Sequence, residues 1–174
     1  MKEFFHVPRR HVFFFDEGRF GLQSTVGRCW ALRGERALST VNPGYQNFYI
    51  YSGVAPHTGK SFHWILPWVN TEIMSFYLQK FSLEYSREKI LLIMDQAGWH
   101  DSQDLVRPSN ISIEFRPAYS PELNPVEKLW QWLRRHVCRN RFFQSLDELM
   151  ESLCATLRNL SDPFFASLCH CSYL

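Results

Sequence analysis

The sequence predicts an α/β fold: a mixed sheet of about five strands flanked by helices. Three observations lead there. The first half of the chain holds short apolar runs separated by turn residues, the pattern of strands joined by short links. From residue 70 onward many apolar residues fall at helical spacing. Two runs, Val12–Phe15 (VFFF) and Ile90–Met94 (ILLIM), are apolar at every position, which marks strands covered on both faces and therefore helices on both sides of the sheet.

Taken in order, His11–Phe15 is the first strand, expected to stop at Asp16, with Gly18 and Gly21 loosening a turn behind it. Cys29–Leu32 is a short strand candidate closed by Arg33 and Gly34. Asn47–Val54 and Ser61–Leu66 flank a hairpin-like Pro56–Gly59, so the early strands read as an antiparallel meander. Asn70 caps a helix carrying Glu72 in its first turn and Ile73, Met74, Tyr77, Leu78 and Phe81 on one face. Lys89–Met94 is the second buried strand, halted at Asp95, and Ile111–Phe115 a third. Pro125 opens a helix with Val126, Leu129, Trp130, Leu133 and Val137 on its apolar stripe. Ser145 and Glu148 make a capping box for a last helix, buried through Leu146, Leu149, Leu153, Leu157 and Leu160 and ended by Asp162-Pro163. The organisation expected is a short lead over 1–10, one domain over 11–160 and a frayed tail over 161–174.

Composition narrows the function classes. The chain has 174 residues, 45% hydrophobic and 16% aromatic, too rich in core formers for a disordered chain and sufficient for one sizeable core. Its longest apolar runs are too short to span a bilayer, and the N-terminal MKEFFHVPRR lacks the apolar stretch of a secretory signal, so no membrane partner is expected. A net charge of +2 does not by itself announce a nucleic-acid binder. Cys169 and Cys171 flank His170, but a zinc site needs about four ligands, and the other cysteines offer no second pair at ligand spacing. Scattered reduced thiols in a cytoplasmic protein are the expectation.

The chemistry points to carboxylates. Asp16 and Asp95 terminate the two most apolar strands. If those strands are parallel neighbours, both aspartates reach one edge, where α/β sheets hold their sites. A single such Asp would more often only start a turn; two in matching positions change the balance. Glu127 lies in the first turn of the Pro125 helix, where the helix dipole alone favours an acid, but its face, continued by Gln131, Arg134 and Cys138, runs beside the core stripe. Packing by Trp130 and Leu133 would aim it at the aspartates. Three convergent carboxylates repel one another unless cations sit among them, and hard oxygen ligands with open positions suit Mg²⁺. Two such ions about 4 Å apart can activate an attacking oxygen and stabilise a leaving one in a phosphodiester displacement.

Three blocks in order carry a family resemblance: FFFDEGRFGLQ followed by GRCWALRGER, then LLIMDQAGWH, then RPAYSPELNPVEKLWQWLRR, the most specific. Over about His11–Leu160 the chain resembles the catalytic domain of DDE transposases, in the bacterial insertion-sequence branch related to the mariner elements. The resemblance implies a ribonuclease H-like fold and cut-and-paste DNA transposition, with metal-dependent cleavage and strand transfer. It implies Asp16, Asp95 and Glu127 as the catalytic, metal-binding triad, with two Mg²⁺ ions that Mn²⁺ can replace. The implied partners are transposon-end and target DNA, and a second copy in a complete transposase. Complete members carry N-terminal helix-turn-helix domains. Only about ten residues precede the first strand, so a separate helix-turn-helix polypeptide is an expected partner, and the chain reads as a fragment, a split-gene product or a decayed copy. Two departures stand out: Gln96 occupies a position that is commonly Asn, and Asp95 and Glu127 are 32 positions apart, slightly closer than usual. A ribonuclease H-like nuclease and a non-catalytic remnant that binds DNA or another subunit are the rival readings.

Several other residues need a role. Lys128, Arg134, Arg135, Arg139 and Arg141 gather five of the nineteen basic residues beside His136, either a solvated face or, next to Glu127, a set of DNA-backbone contacts. Lys128, Arg134, Arg135 and Arg139, together with His100, are the DNA-binding candidates; His100 could equally hydrogen-bond near the metals or be a structural loop residue. Arg19, Arg28, Arg33 and Arg36 form a looser basic group. Glu17 would point away from Asp16 if the strand continued, which leaves it outside the triad. Glu122, in a Pro-flanked loop, is a weaker ligand than Glu127, and Trp64, Trp68, Trp130 and Trp132 are read as core.

Overall fold

β1 (Val12–Gly21) runs through the middle of a five-stranded sheet. The computed structural model describes residues 11–35, 38, 40–118 and 120–172; the lead at 1–10 and Arg36 lie outside the described residues. β2 (Asn47–Val54) pairs antiparallel with β1, and β3 (Ser61–Leu66) antiparallel with β2, which is the expected meander. β4 (Ile90–Met94) lies parallel on the other side of β1, and β5 (Ile111–Phe115) parallel to β4. The order β3-β2-β1-β4-β5 leaves VFFF and ILLIM as adjacent parallel strands, as their all-apolar character requires.

The alternation of side chains along β1 divides the core in two. Phe13 and Phe15 face α1 (Thr71–Glu84), meeting Met74, Tyr77, Leu78 and Phe81. Val12, Phe14 and Phe20 face the opposite side, under α2 (Val126–Leu133) and α3 (Leu146–Asn159), where Leu129, Trp130, Leu133, Leu149 and Leu153 pack. The Asn70 side chain accepts the Ile73 N–H at 2.8 Å, and Ser145 Oγ accepts the Glu148 N–H at 3.2 Å, so both expected caps are made. Glu148 completes its box one residue early, on the Gln144 N–H at 2.7 Å.

Four expectations are corrected. β1 does not stop at Asp16; it continues to Gly21 because β2 pairs with it from Phe14 to Gly21. Gly18 is therefore no turn residue: a Cβ there would lie 2.7 Å from the Trp130 ring, and the glycine is what lets the indole rest on the strand. Cys29–Leu32 forms no strand; it lies in an irregular stretch with no ladder partner, and Trp30 and Leu32 are exposed. The frayed tail is instead α4 (Asp162–Leu168), started by Pro163 in its first turn and held by Phe165 and Cys169, both buried in the α2–α3 core. The Pro125 helix also changes character, passing from α to a π-type turn over Arg134–Cys138.

Candidate active site

β1 and β4 carry their aspartates to the same level. The last pair they share is Phe14 with Ile93, and Asp16 and Asp95 each stand two residues further on. Asp16, on the α2 face of β1, accepts a hydrogen bond from Trp130 Nε1 at 2.7 Å. Burial raises its carboxyl from the ordinary 3.8 to about 7; the Trp130 bond opposes this, and the charges of Glu127, Glu17 and Asp95 add to it. Asp95 follows β4 and is half-exposed. Its carboxyl is pulled below the usual range, chiefly by the hydrogen bond from His100 Nδ1 at 2.7 Å, with the His100 and Arg116 charges and the Ala97 N–H helping.

Glu127 reaches the same place from the other side. Asn124, 2% exposed, donates from Nδ2 to the Phe15 carbonyl at 3.1 Å and accepts the Val126 N–H at 3.2 Å on Oδ1. It thereby ties the start of α2 to β1 one residue before Asp16. Glu127 follows in the first helical turn, and Trp130, three residues later on the helix, reaches back to Asp16. Asp16, Asp95 and Glu127 line one open cleft of about 440 Å³, with Gln96, Arg116 and Ser120 among its other walls. Glu122 is exposed on the 3₁₀ turn Pro121–Leu123; its neighbour Pro121 lines the cleft, but Glu122 does not.

His100 is not placed to touch DNA. It is 1% exposed, edge-on to Phe15, with Nδ1 on Asp95 and Nε2 on Glu17 Oε1 at 2.9 Å. Burial works against its charge, but the hydrogen bonds and charges of both carboxylates outweigh that and push it to about 10. Glu17 does face away from Asp16, yet it belongs to the site: it accepts from Trp99 Nε1 at 3.1 Å as well as from His100. The chain Glu17–His100–Asp95 thus joins the back of β1 to the second aspartate. Nothing in the sequence marks Glu17 except its place next to Asp16.

Of the remaining DNA-binding candidates, Lys128 donates from Nζ to the His170 carbonyl at 2.6 Å and Arg139 from Nη2 to the Arg28 carbonyl at 2.8 Å. Arg134 lies over the Phe20 ring, and Arg135 is exposed. Among the described residues no three His, Cys, Asp or Glu side chains are grouped closely enough to hold a metal ion as they stand. The donor chemistry nevertheless fits a hard divalent cation: three oxygen ligands line one cleft, and the partly buried Asp16 carboxyl is raised to about 7 by desolvation and by its anionic neighbours, a cost that a cation would relieve.

A family model described as DDE superfamily endonuclease matches residues 11–150. The uncharacterised protein y4pE/y4sA of Sinorhizobium fredii is 39% identical over 115 residues, covering 66% of this chain and 85% of that protein. An uncharacterised 39 kDa protein of insertion element IS630 from Shigella sonnei is 29% identical over 159 residues, covering 88% of this chain and 46% of the relative. The Mos1 strand transfer complex superposes with a TM-score of 0.71 at 17% identity, over 92% of this chain and 51% of that one. Mos1 paired-end complexes with Mn and with Mg superpose at 0.69 and 0.66, with 18% and 17% identity, over 93% of this chain and 52% of theirs. At such identity the likeness is one of fold, and it makes the five-stranded sheet with its flanking helices ribonuclease H-like. The chain spans about half the length of the IS630 relative and of the Mos1 chains.

Proposed function

The chain belongs to the DDE superfamily endonucleases, an enzyme family, and from that premise we propose that it is a transposase catalytic domain that cuts DNA at transposon ends and transfers the freed strand into target DNA. The observation that carries this reading is the single cleft shared by Asp16, Asp95 and Glu127, reached from two adjacent parallel strands and one helix. These three side chains would hold two Mg²⁺ ions, or Mn²⁺ in their place. When bound, such cations supply positive charge to the attacking and leaving oxygens of a phosphodiester.

The protein's own contribution is orientation. Trp130 Nε1 fixes one oxygen of Asp16, leaving the other for a ligand. His100, locked by Glu17, fixes one oxygen of Asp95 in the same way. Asn124 sets the start of α2, so Glu127 enters from a rigid element and not from a loop. Arg134 and Arg135, with Lys128 and Arg139 beside them, are the groups that would neutralise backbone phosphates of the bound DNA. Such contacts position DNA without reading its sequence. Recognition of transposon ends therefore falls to a helix-turn-helix region, on this or a separate polypeptide, and the working form would be a homodimer in the cytoplasm. No helix among the described residues is long and apolar enough to cross a membrane.

The test pairs two glutamates. Glu127→Gln keeps size and helix position and leaves Val126, Leu129, Trp130 and Leu133 untouched, so folding should survive while Mg²⁺-dependent cleavage falls about 10³-fold or more. Glu122→Gln should change cleavage little. The assay includes the end-binding region and a transposon-end duplex, and scores both cleavage and strand joining. Equal loss in the two variants, or loss in Glu122→Gln alone, would overturn the assignment; cleavage without joining would leave a nuclease and not a transposase.

A further inference from the structure

Arg116 is a buried cation on the wall of the acidic cleft, and beyond its charge on Asp95 nothing above gives its side chain work. It follows β5 directly, and its backbone is stitched to the end of β4: its N–H donates to the Met94 carbonyl at 2.8 Å, and its own carbonyl accepts from Gln96 Nε2 at 3.1 Å. The residue is 7% exposed. Nη1 donates to the Ser120 carbonyl at 2.8 Å, while Nε is buried with no acceptor in the protein. Among the described residues no carboxylate lies within ion-pair distance of it, although Asp95 is near enough for the Arg116 charge to lower its carboxyl.

Burying a guanidinium without pairing it costs several kcal/mol, and a leucine or methionine would fill the same wall without that cost. The charge lies on the wall of the same cleft that Asp16, Asp95 and Glu127 line. Its planar fork matches two oxygens of a phosphate, as an ammonium point charge does not. Its anchor on Ser120 leaves the fork oriented before anything binds.

We infer that Arg116 is a phosphate-contacting residue of the cleft, its guanidinium receiving the non-bridging oxygens of a DNA phosphodiester held against the three carboxylates. This rests on the transposase reading for the identity of the ligand, but the contact itself can be measured without catalysis. Each protein cation that neutralises a phosphate of duplex DNA steepens the fall of log K with log salt by about 0.9. A residue that only anchors the Ser120 carbonyl would leave that slope alone.

The experiment measures binding of the whole chain to a short duplex across a range of salt, with Ca²⁺ in place of Mg²⁺, for wild type, Arg116→Met, Arg116→Gln and Arg116→Lys. Cleavage in Mg²⁺ and thermal melting are recorded alongside. The expected result is a slope shallower by about 0.9 in the Met and Gln variants and unchanged in the Lys variant, with cleavage reduced at least tenfold in all three. Slopes equal to wild type in folded Met or Gln variants would overturn the contact, whatever happens to cleavage. Should both neutral variants fail to fold, Arg116→Lys decides: retained slope with lost cleavage supports the fork, and wild-type cleavage overturns it. A shallower slope with no cleavage by wild type, even with the end-binding region supplied, would keep the phosphate contact and discard the transposase reading. Full cleavage with unchanged slopes would do the reverse.

Discussion

Asp16 and Asp95 occupy matching positions on neighbouring parallel strands, two residues past their last shared pair, and the protein treats them in opposite ways. Asp16 is in the wall of the α2 core, held by a neutral indole, with its carboxyl raised to about 7. Asp95 is half-exposed, held by a histidine that two carboxylates keep protonated, with its carboxyl lowered. One station is a partly buried acid that lacks a compensating charge; the other already has one. Environments that separate the behaviour of two like groups are how sites divide labour between them. Here the division says that Asp16 depends most on a bound cation to stay ionised.

The largest expected effect comes from that dependence. The native chain holds a proton on Asp16 that the unfolded chain releases between its ordinary 3.8 and about 7. The associated stability is full below about pH 4 and is lost as pH rises through about 7, up to about 4 kcal/mol in all. Urea unfolding without divalent cations at pH 5 and pH 8 should show this fall, and Asp16→Asn, neutral throughout, should remove most of it. His100 contributes a decline in the same direction at higher pH, which the variant retains, so the comparison between proteins isolates Asp16. Equal pH slopes in both would show that the two aspartates are alike after all.

A smaller effect is expected at the other station. Glu17→Gln keeps the acceptor for Trp99 Nε1 but takes away one of the two charges that hold His100. Cleavage and Mn²⁺ affinity should each fall about 10- to 100-fold, the usual consequence of loosening a group that orients a metal ligand. Unchanged Mn²⁺ affinity would reduce the Glu17–His100 pair to packing. The smallest effect belongs to Trp130→Phe, which keeps the ring over Gly18 but removes the Nε1–H. It should cost about 1 kcal/mol of stability. It should also move the acidic limb of the cleavage profile to higher pH, because the lost bond was lowering the Asp16 carboxyl. A profile that shifts the other way would contradict the role given to the indole.

The same two stations show how far the sequence could be read. The all-apolar runs before Asp16 and Asp95 mark two strands covered on both faces, but that they are parallel neighbours is only a condition until the sheet order is seen; helical periodicity places Glu127 on α2. Contacts between distant residues were not legible. Gly18 reads as a turn because a glycine after a strand usually is one; the strand runs on because β2 pairs with it, and the Trp130 ring lying on it explains why the residue there is a glycine. Strand geometry correctly turns Glu17 away from Asp16, but its partner on the far face, His100, lies 83 positions away and is invisible to any local pattern. Asn124 sits in the most recognisable block of the chain, yet its side chain works on the Phe15 carbonyl, 109 positions away, which no local pattern reveals. The Cys29–Leu32 run failed as a strand because apolar residues make one only where a neighbouring strand offers a ladder.

Cation binding by the three carboxylates is tested most directly by Mn²⁺ titration of the purified chain, free ion being followed by electron paramagnetic resonance, for wild type, Asp16→Asn, Asp95→Asn, Glu127→Gln and the control Glu122→Gln. The expected result is saturable binding by wild type and Glu122→Gln, weakened at least tenfold by each of the other three substitutions. Wild-type affinity in Asp16→Asn or Glu127→Gln would contradict a shared cation site in this cleft.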